Sequence, residues 1–317
     1  MQKSYDRMKR THLIAAGIVL AVGISRLQAG LLFYDSFNYP TGSLGTAGSP
    51  TWTKNGTSPD PTVQNVGGLT YAGLQVSADT LSLQYDGSGI NTGSGGPAAT
   101  DGITLTGQPY TTGSLYYSLL LKVTATQVGT GNGFATGVNL TQGSFMAGLS
   151  TGAASAAPTV GASAAPLLIL TGDGTQFAST YRLGTSKTAT AVDRQFAAQT
   201  FGIGPNAETV FVVLRYTFDA VNGDSASLFL NPTPGNPEPA ASLTVTAGAN
   251  LTLGTPAGIK SFFVRNNSVE PDALLIDELR IGDTWESVTP VATPEPTAAM
   301  LGGLALFGLL LVNRHRR

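Results

Sequence analysis

Cysteine is absent from this chain of 317 residues, and its two histidines, His12 and His315, both lie near an end. Without cysteine the chain has no disulfide, no thiolate metal site and no cysteine nucleophile. Without histidine between the ends, the central part has no Ser-His-Asp triad and no histidine zinc site. Most hydrolase mechanisms are therefore excluded, and the sequence predicts no metal or other cofactor.

Charged residues are also scarce, at 11% of the chain, whereas 42% of the residues are hydrophobic. The basic residues concentrate at the two ends. Between Gly30 and Thr289 nine lysines and arginines stand against 17 acidic residues, a formal charge of −8. A negative body repels phosphate backbones, so nucleic acid is not expected as a partner.

The first 29 residues have the organisation of a secretory signal peptide. Lys9 and Arg10 precede an apolar run, Leu13 to Ile24, and the segment Ser25 to Ala29 follows with the small residue Ala29 at its end. We expect passage through the Sec translocon and cleavage between Ala29 and Gly30. An uncleaved membrane helix is the less favoured alternative, because the run is shorter than the roughly 20 residues that span a bilayer.

The last segment, residues 290–317, combines three features in a fixed order. They are the tripeptide Pro294, Glu295, Pro296, the uncharged run Ala298 to Val312, and the basic residues Arg314, Arg316 and Arg317. The positive-inside rule predicts a transmembrane helix with the arginines as a cytoplasmic membrane stop. The prolines keep the preceding peptide extended and outside the helix.

This combination resembles the PEP-CTERM sorting signal of exopolysaccharide-producing Gram-negative bacteria. The resemblance implies recognition of Pro294, Glu295 and Pro296 by a membrane protease of the exosortase family. It further implies transient membrane anchoring, removal of the helix, and delivery to the cell surface or the extracellular matrix of a biofilm. The same tripeptide at 237–239 has no apolar run after it, so the tripeptide alone is weak evidence. A plain C-terminal anchor is the alternative.

Residues 30–289 have no helical periodicity of useful length but many short runs rich in β-branched and aromatic residues. The pattern predicts one all-β domain, an antiparallel β-sandwich of jelly-roll type, and a long surface loop or an irregular insertion over Gly148 to Ala165. The predicted strands are Leu31 to Tyr39, Leu69 to Val76, Thr80 to Tyr85, Ser114 to Ala125, Phe134 to Leu140, Leu167 to Thr171, Ser179 to Leu183, Thr209 to Phe218, Ser225 to Leu230, Ser242 to Thr246, Ile259 to Arg265 and Ala273 to Ile281.

Four stretches of this body resemble concanavalin A-like or LamG-like domains. They are Leu32 to Phe37, Tyr181 to Lys187, Val213 to Phe218 and Ile276 to Gly282. The resemblance implies a concanavalin A-like sandwich, flanked here by the signal helix and the transmembrane helix.

Carboxylate pairs are the catalytic chemistry that the body still permits, because glycosidases use two acids about 5 to 10 Å apart. The five glutamates of the body lack the Glu-x-Asp-x-x-Glu spacing of the retaining glycosidases that share this fold; they are Glu208, Glu238, Glu270, Glu278 and Glu286. Asp277 and Glu278 are neighbours, which a regular strand sends to opposite faces. We therefore predict that the chain is not an enzyme.

The body also contains residues that could form a calcium site or a sugar-stacking surface, or that could have a structural role alone. Asp35 and Asp277, on the first and last predicted strands, offer oxygen ligands for Ca²⁺, although ordinary turn-facing or solvated carboxylates are the favoured interpretation. Aromatic side chains offer sugar-stacking surfaces, with Trp285 expected in packing; the candidates are Trp52, Tyr71, Tyr85, Tyr110, Tyr116, Tyr117 and Trp285.

Taken with the two terminal signals, these features predict an exported non-enzymatic surface or matrix protein. The alternative is a lectin-like module that binds exopolysaccharide, and the third interpretation is a glycosidase of concanavalin A-like fold.

Overall fold

The structure is a computed structural model. It describes residues 30–56, 61–85, 99–124, 143–156, 163–172, 179–251, 258–266 and 274–292. The predicted signal peptide over 1–29 and residues 293–317 of the predicted sorting segment lie outside these ranges. Within them, no helix combines the length and apolarity needed to cross a bilayer.

Short strands dominate the described chain, as the alternating patterns predict. The strands are β1 (Leu31–Asp35), β2 (Gly42–Ser43), β3 (Thr53–Asn55), β4 (Thr62–Gln64), β5 (Ser82–Tyr85), β6 (Ala99–Thr104), β7 (Gly113–Val123), β8 (Ser144–Ser150), β9 (Ser163–Thr171), β10 (Thr180–Thr185), β11 (Gln195–Gly202), β12 (Val210–Phe218), β13 (Ser225–Leu230), β14 (Leu243–Val245), β15 (Ser261–Asn266) and β16 (Leu274–Gly282). The helices are α1 (Leu44–Ala47), α2 (Trp285–Val288) and two 3₁₀ turns, Ala191–Asp193 and Gly204–Asn206.

These strands form two antiparallel sheets. The nine-stranded sheet has the order β14-β13-β12-β7-β16-β5-β4-β2, with β1 also paired to β16, and the seven-stranded sheet has the order β11-β10-β9-β8-β15-β6-β3. Strand β12 is central, as its two apolar faces predict, and it pairs along its whole length with β7. It forms a hairpin with β13, and Asn222 and Gly223 between the two strands are residues typical of such a turn. The antiparallel β-sandwich predicted from the sequence is therefore confirmed.

The main core fills the space between the sheets. Leu119 and Val212 of the nine-stranded sheet and Ile169 and Val264 of the seven-stranded sheet are fully buried in it. Burial of each such side chain contributes about 1.5–3 kcal/mol relative to exposure. We call the faces that meet at this core the inner faces of the sheets, and the opposite faces their outer faces.

A second apolar cluster covers the outer face of the nine-stranded sheet. It is built on Phe211, Phe229 and Leu275 of the strands and is closed by Trp285 of α2 and Leu69. The segment that contributes Leu69 was predicted as a strand over Leu69 to Val76, and that prediction is wrong. Its backbone makes an isolated bridge, between Leu74 and Val291, and a turn bond from Leu74 to Tyr71, and it also hydrogen-bonds to side chains of β16.

The predicted surface loop over Gly148 to Ala165 is also wrong in part. Gly148 lies inside β8, and Ala165 lies inside β9. The small side chains of this region allow close packing: a Cβ on Gly148 would lie 3.1 Å from the backbone of Pro166. The predicted strand Phe134 to Leu140 lies outside the described residues.

Candidate functional site

Cationic side chains gather on the outer face of the seven-stranded sheet. Arg265 of β15 points outward because its neighbour Val264 is part of the inner core. Arg194 directly precedes β11 and reaches the same surface, where both guanidinium groups meet the ring of Phe145. We call Arg194, Arg265 and Phe145 the arginine cluster.

The aromatic ring fixes the position of both guanidinium groups. The guanidinium carbon of Arg265 lies 4.1 Å from the centroid of Phe145, and that of Arg194 lies 5.6 Å from it. Both distances are within the range of cation–π attraction. Phe145 is itself held edge-on against Phe263, with ring centroids 6.1 Å apart. The cluster therefore rests on a rigid apolar base.

Backbone carbonyl groups orient the guanidinium groups further. Arg194 donates from Nη1 to the carbonyl oxygen of Gly143 at 2.7 Å and from Nη2 to that of Ala189 at 2.9 Å. Arg265 donates from Nη1 to the carbonyl oxygen of Phe145 at 3.3 Å. Gly143 has a φ of +62°, and a Cβ there would strike Phe196. Glycine is thus required where the chain turns beneath Arg194.

Burial and like charge both act on this cluster. Burial lowers the pKa of Arg194, and the nearby positive charge of Arg265 lowers this pKa further. Two guanidinium groups held together place two formal positive charges on one face of a body whose formal charge is −8. Guanidinium groups pair with carboxylate or sulfate through charge-assisted hydrogen bonds, so the chemistry of the cluster suits an anion.

The two aspartates considered as Ca²⁺ ligands are both buried, so they are not solvated carboxylates, whereas the hydrogen bond from the backbone of Phe37 shows that Asp35 faces a turn. Asp35 is 6% exposed and accepts hydrogen bonds from the indole of Trp52, the hydroxyl of Tyr39 and the backbone of Phe37. Burial raises the pKa of Asp35, and these donors oppose the rise. Within the described ranges, no three acidic or histidine side chains are placed to hold a metal ion.

The expectation that Asp277 and Glu278 point to opposite faces fails at a β-bulge. The register with β7 shifts between Asp277 and Arg280, and Glu278 has a φ of +56°. Asp277 accepts a hydrogen bond from the backbone of Leu69 at 2.7 Å, and Glu278 accepts one from that of Ser77 at 2.6 Å. Both carboxylates are 1% exposed. They therefore anchor one irregular segment to the sheet.

Glu278 also forms a buried ion pair with Arg280, at 2.8 Å from Nη2 to Oε2. The guanidinium of Arg280 lies 4.6 Å from the ring centroid of Tyr34, whose hydroxyl donates to Glu278. Tyr34 is 41% exposed, and it was missed in the sequence because strand alternation does not show which aromatic reaches the surface.

The aromatic residues proposed to stack on sugars are mostly internal. Trp52, Tyr116, Tyr117 and Trp285 are buried. Trp285 packs edge-on against Phe229 at 4.9 Å, so its predicted packing role is confirmed. Tyr71 and Tyr110 are half-buried, and the side chain of Tyr85 is not among those that the structure describes.

Of the residues predicted for processing, only Gly30 is described. Its carbonyl oxygen accepts a hydrogen bond of 2.9 Å from the backbone of Asp283, which ties the start of the body to the end of β16. The others lie outside the described residues: Ala29, Pro294, Glu295, Pro296, Arg314, Arg316 and Arg317.

Comparison with known proteins gives structural matches alone. No family model matches the chain, and no curated protein matches it. An alginate lyase bound to an alginate trisaccharide is 14% identical with a TM-score of 0.43, covering 80% of this chain and 98% of its own. An endo-1,3-β-glucanase from Streptomyces sioyaensis is 14% identical with a TM-score of 0.38, covering 80% and 95%. Peanut lectin is 9% identical with a TM-score of 0.38, covering 80% and 97%.

Lectins, polysaccharide lyases and a glucanase are thus among the solved structures that are similar to this chain. These structures include polysaccharide-degrading enzymes as well as lectins, and they contradict the prediction that the chain is not an enzyme.

Proposed function

We propose that this protein is exported to the cell surface or extracellular matrix, where its β-sandwich binds an acidic polysaccharide through Arg194 and Arg265. The observation that carries the proposal is the convergence of two guanidinium groups on Phe145. Arg265 lies in β15 and Arg194 lies directly before β11 of the same sheet, and both side chains are half-buried. This arrangement is pre-organised, so little side-chain entropy remains to be lost when a ligand binds.

The charge of the ligand follows from the chemistry of the cluster. A carboxylate or sulfate accepts hydrogen bonds from the guanidinium N–H groups, each contributing about 1.5–3 kcal/mol when charged. A neutral sugar gains no such Coulomb attraction. The rest of the body is acidic, which would repel a polyanion away from this cluster. Binding should therefore be local, selective for acidic chains and weakened by salt.

Affinity electrophoresis tests this binding with the purified protein. Native gels contain either β-1,4-linked polyglucuronate or the neutral hydroxyethyl cellulose. We expect retardation of the unchanged protein in the polyglucuronate gel and less retardation of the variant Arg265→Gln there, whereas the two proteins should migrate alike in the hydroxyethyl cellulose gel. Equal retardation of the two proteins in the polyglucuronate gel would contradict the proposal. The chain length of the polyglucuronate is measured after incubation, so that cleavage is detected separately from binding.

Export and sorting form the other half of the proposal. It is supported by the signal-like residues before Gly30 and by the order of Pro294, Glu295 and Pro296, apolar run and basic cluster. In the described chain, Val291 and Ala292 are exposed, so the body reaches its surface directly before Thr293. Membrane insertion of the apolar run would present the tripeptide to an exosortase-family protease.

The intact mass of the protein recovered from its native host tests both terminal cuts at once. We expect a mass that corresponds to a start near Gly30 and an end between Pro294 and Pro296. A mass that retains residues 298–317 would contradict processing and leave a membrane-anchored sandwich.

A further inference from the structure

A groove of about 430 Å³ lies at the end of the nine-stranded sheet, on the sheet opposite to the one that carries the arginine cluster. This volume is within the range of small-ligand sites. We call it the proline groove. Its lining residues are Phe229, Leu230, Asn231, Pro232, Thr233, Asn236, Pro237, Pro239, Ala240 and Ser242.

Hydrogen bonds to the sheet fix the first part of the groove wall. The backbone N–H of Asn231 donates to the carbonyl oxygen of Phe211, and the Asn231 side-chain oxygen accepts from the backbone N–H of Phe211, both at 2.8 Å. Ser242 closes the other end, since its hydroxyl oxygen accepts a hydrogen bond of 3.1 Å from the backbone of Leu230. The groove is thus tied to β12 and β13 at both of its ends.

The middle of the wall is braced by the C-terminal part of the body. The indole of Trp285 donates to the carbonyl oxygen of Asn236 at 2.9 Å, and Gly235 donates from its backbone to Thr289 at 3.0 Å. Glu238 forms an ion pair with Arg215 and accepts a hydrogen bond of 2.8 Å from the hydroxyl of Tyr116. A wall held at this many points is pre-organised for a ligand.

The lining offers neutral hydrogen-bonding groups beside non-polar rings. The side chains of Thr233 and Asn236 are exposed, as are the rings of Pro237 and Pro239. None of the lining residues carries a formal charge, and the neighbouring carboxylate of Glu238 is already neutralised by Arg215. Alternating hydroxyl groups and C–H faces are the surface of a neutral sugar ring.

We propose that the proline groove is a second saccharide site, specific for a neutral oligosaccharide of hexopyranose units. Hydroxyl groups of the sugar bond to Thr233 and Asn236, and C–H faces of the sugar contact Pro237 and Pro239. The groove and the arginine cluster lie on opposite sheets, so one molecule can hold a neutral and an acidic chain together. The protein then acts as a cross-link between two polysaccharides.

Isothermal titration of the purified protein with cellohexaose and with laminarihexaose tests the groove. The test variant is Thr233→Ala combined with Asn236→Ala, which keeps the braces because the brace at Asn236 uses its backbone oxygen. We expect at least one hexasaccharide to bind the unchanged protein, and the double variant to bind it about tenfold more weakly or worse, because two hydrogen bonds are lost.

Arg265→Gln is the matched control, and it should leave hexasaccharide affinity unchanged. Absence of binding to both hexasaccharides, or an equal affinity in the double variant, would overturn the groove proposal. Binding of a glucuronic acid tetrasaccharide by the double variant is measured in parallel, so a failure of the groove is distinguished from a failure of the arginine cluster.

Discussion

The indole N–H of Trp52 donates a hydrogen bond of 2.7 Å to the carboxylate of Asp35. Asp35 is the last residue of β1, where this strand pairs with β16. Trp52 is 1% exposed, so neither group has water as an alternative partner. The second tryptophan, Trp285, donates instead to the neutral carbonyl oxygen of Asn236 at 2.9 Å. The two tryptophans therefore form a matched pair that differs in the charge of the acceptor.

Replacement of each tryptophan by phenylalanine compares these two bonds. Trp52→Phe is expected to lower the free energy of unfolding more than Trp285→Phe, because a bond to a charged group contributes about 1.5–3 kcal/mol and a neutral one about 0.5–1.5 kcal/mol. Both changes remove the same volume from a buried site. Urea unfolding measures the two values, and an equal or smaller loss for Trp52→Phe would show that the Asp35 bond contributes little.

The buried carboxyl of Asp277 predicts a pH-dependent stability. Desolvation is the largest cause that raises its pKa to about 8, with a further rise from the charge of Glu278. An unfolded aspartate titrates near pH 4. Between roughly pH 4 and pH 8 the folded state keeps a proton that the unfolded state has released, so this group makes stability fall as the pH rises.

Asp277→Asn should therefore flatten the dependence of the urea midpoint on pH between about 5 and 8. The matched control is Asp219→Asn, because hydrogen bonds from Asn222 and Val221 lower the pKa of Asp219, and the group stays ionised over that whole window. A slope that is as steep in Asp277→Asn as in the unchanged protein would assign the pH dependence to other groups.

Long alternating segments were predictable from the sequence, and the arrangement of side chains across distant strands was not. Strand β12 and its hairpin to β13 follow directly from alternation and from the Asn222–Gly223 turn. By contrast, β8 is rich in small residues and carries no alternating pattern, so it was missed. Strands β2, β3 and β4 have only two or three residues each, too few for any pattern to emerge.

The candidate sites could not be predicted from the sequence for a related reason. Arg194 and Arg265 are far apart in sequence, and only the pairing of β8 with β15 brings Arg265 to Phe145. The bulge that turns Glu278 toward Ser77 depends on a positive φ, which no residue type at that position signals. The four prolines within 231–239 are typical of a loop, whereas the groove formed there depends on contacts with Trp285 and Thr289 that the sequence does not show.

The loop that contains Ala154 packs closely on β6, so replacement of Gly102 in this strand is expected to destabilise the protein. A Cβ on Gly102 would strike the backbone oxygen of Ala154, whereas a Cβ on Gly152 would lie 3.4 Å from its nearest neighbour, an ordinary contact. Gly102→Ala is expected to lower stability by about 1–3 kcal/mol through overpacking. Gly152→Ala should be close to neutral. Thermal unfolding compares the two, and equal midpoints would show that the loop moves away at no cost.

The arginine cluster is tested most directly by calorimetric titration with two tetrasaccharides that differ only at C6. One is a β-1,4-linked tetramer of glucuronic acid, and the other is cellotetraose, which lacks the carboxylates. Three variants accompany the unchanged protein: Arg265→Gln, Arg265→Lys, and Lys122→Gln, which removes one positive charge from the outer face of the other sheet.

The account predicts that the acidic tetrasaccharide binds the unchanged protein more tightly than cellotetraose does. Arg265→Gln should weaken this binding by about tenfold or more, since one charge-assisted contact is lost. The affinity of Arg265→Lys for the acidic tetrasaccharide should lie between those of the unchanged protein and Arg265→Gln, because lysine keeps the charge without the planar fork. Lys122→Gln should change this affinity little. A loss of cellotetraose affinity in Arg265→Gln as large as the loss for the acidic tetrasaccharide, or an equal loss in Arg265→Gln and Lys122→Gln, would contradict recognition of an acidic polysaccharide by the arginine cluster.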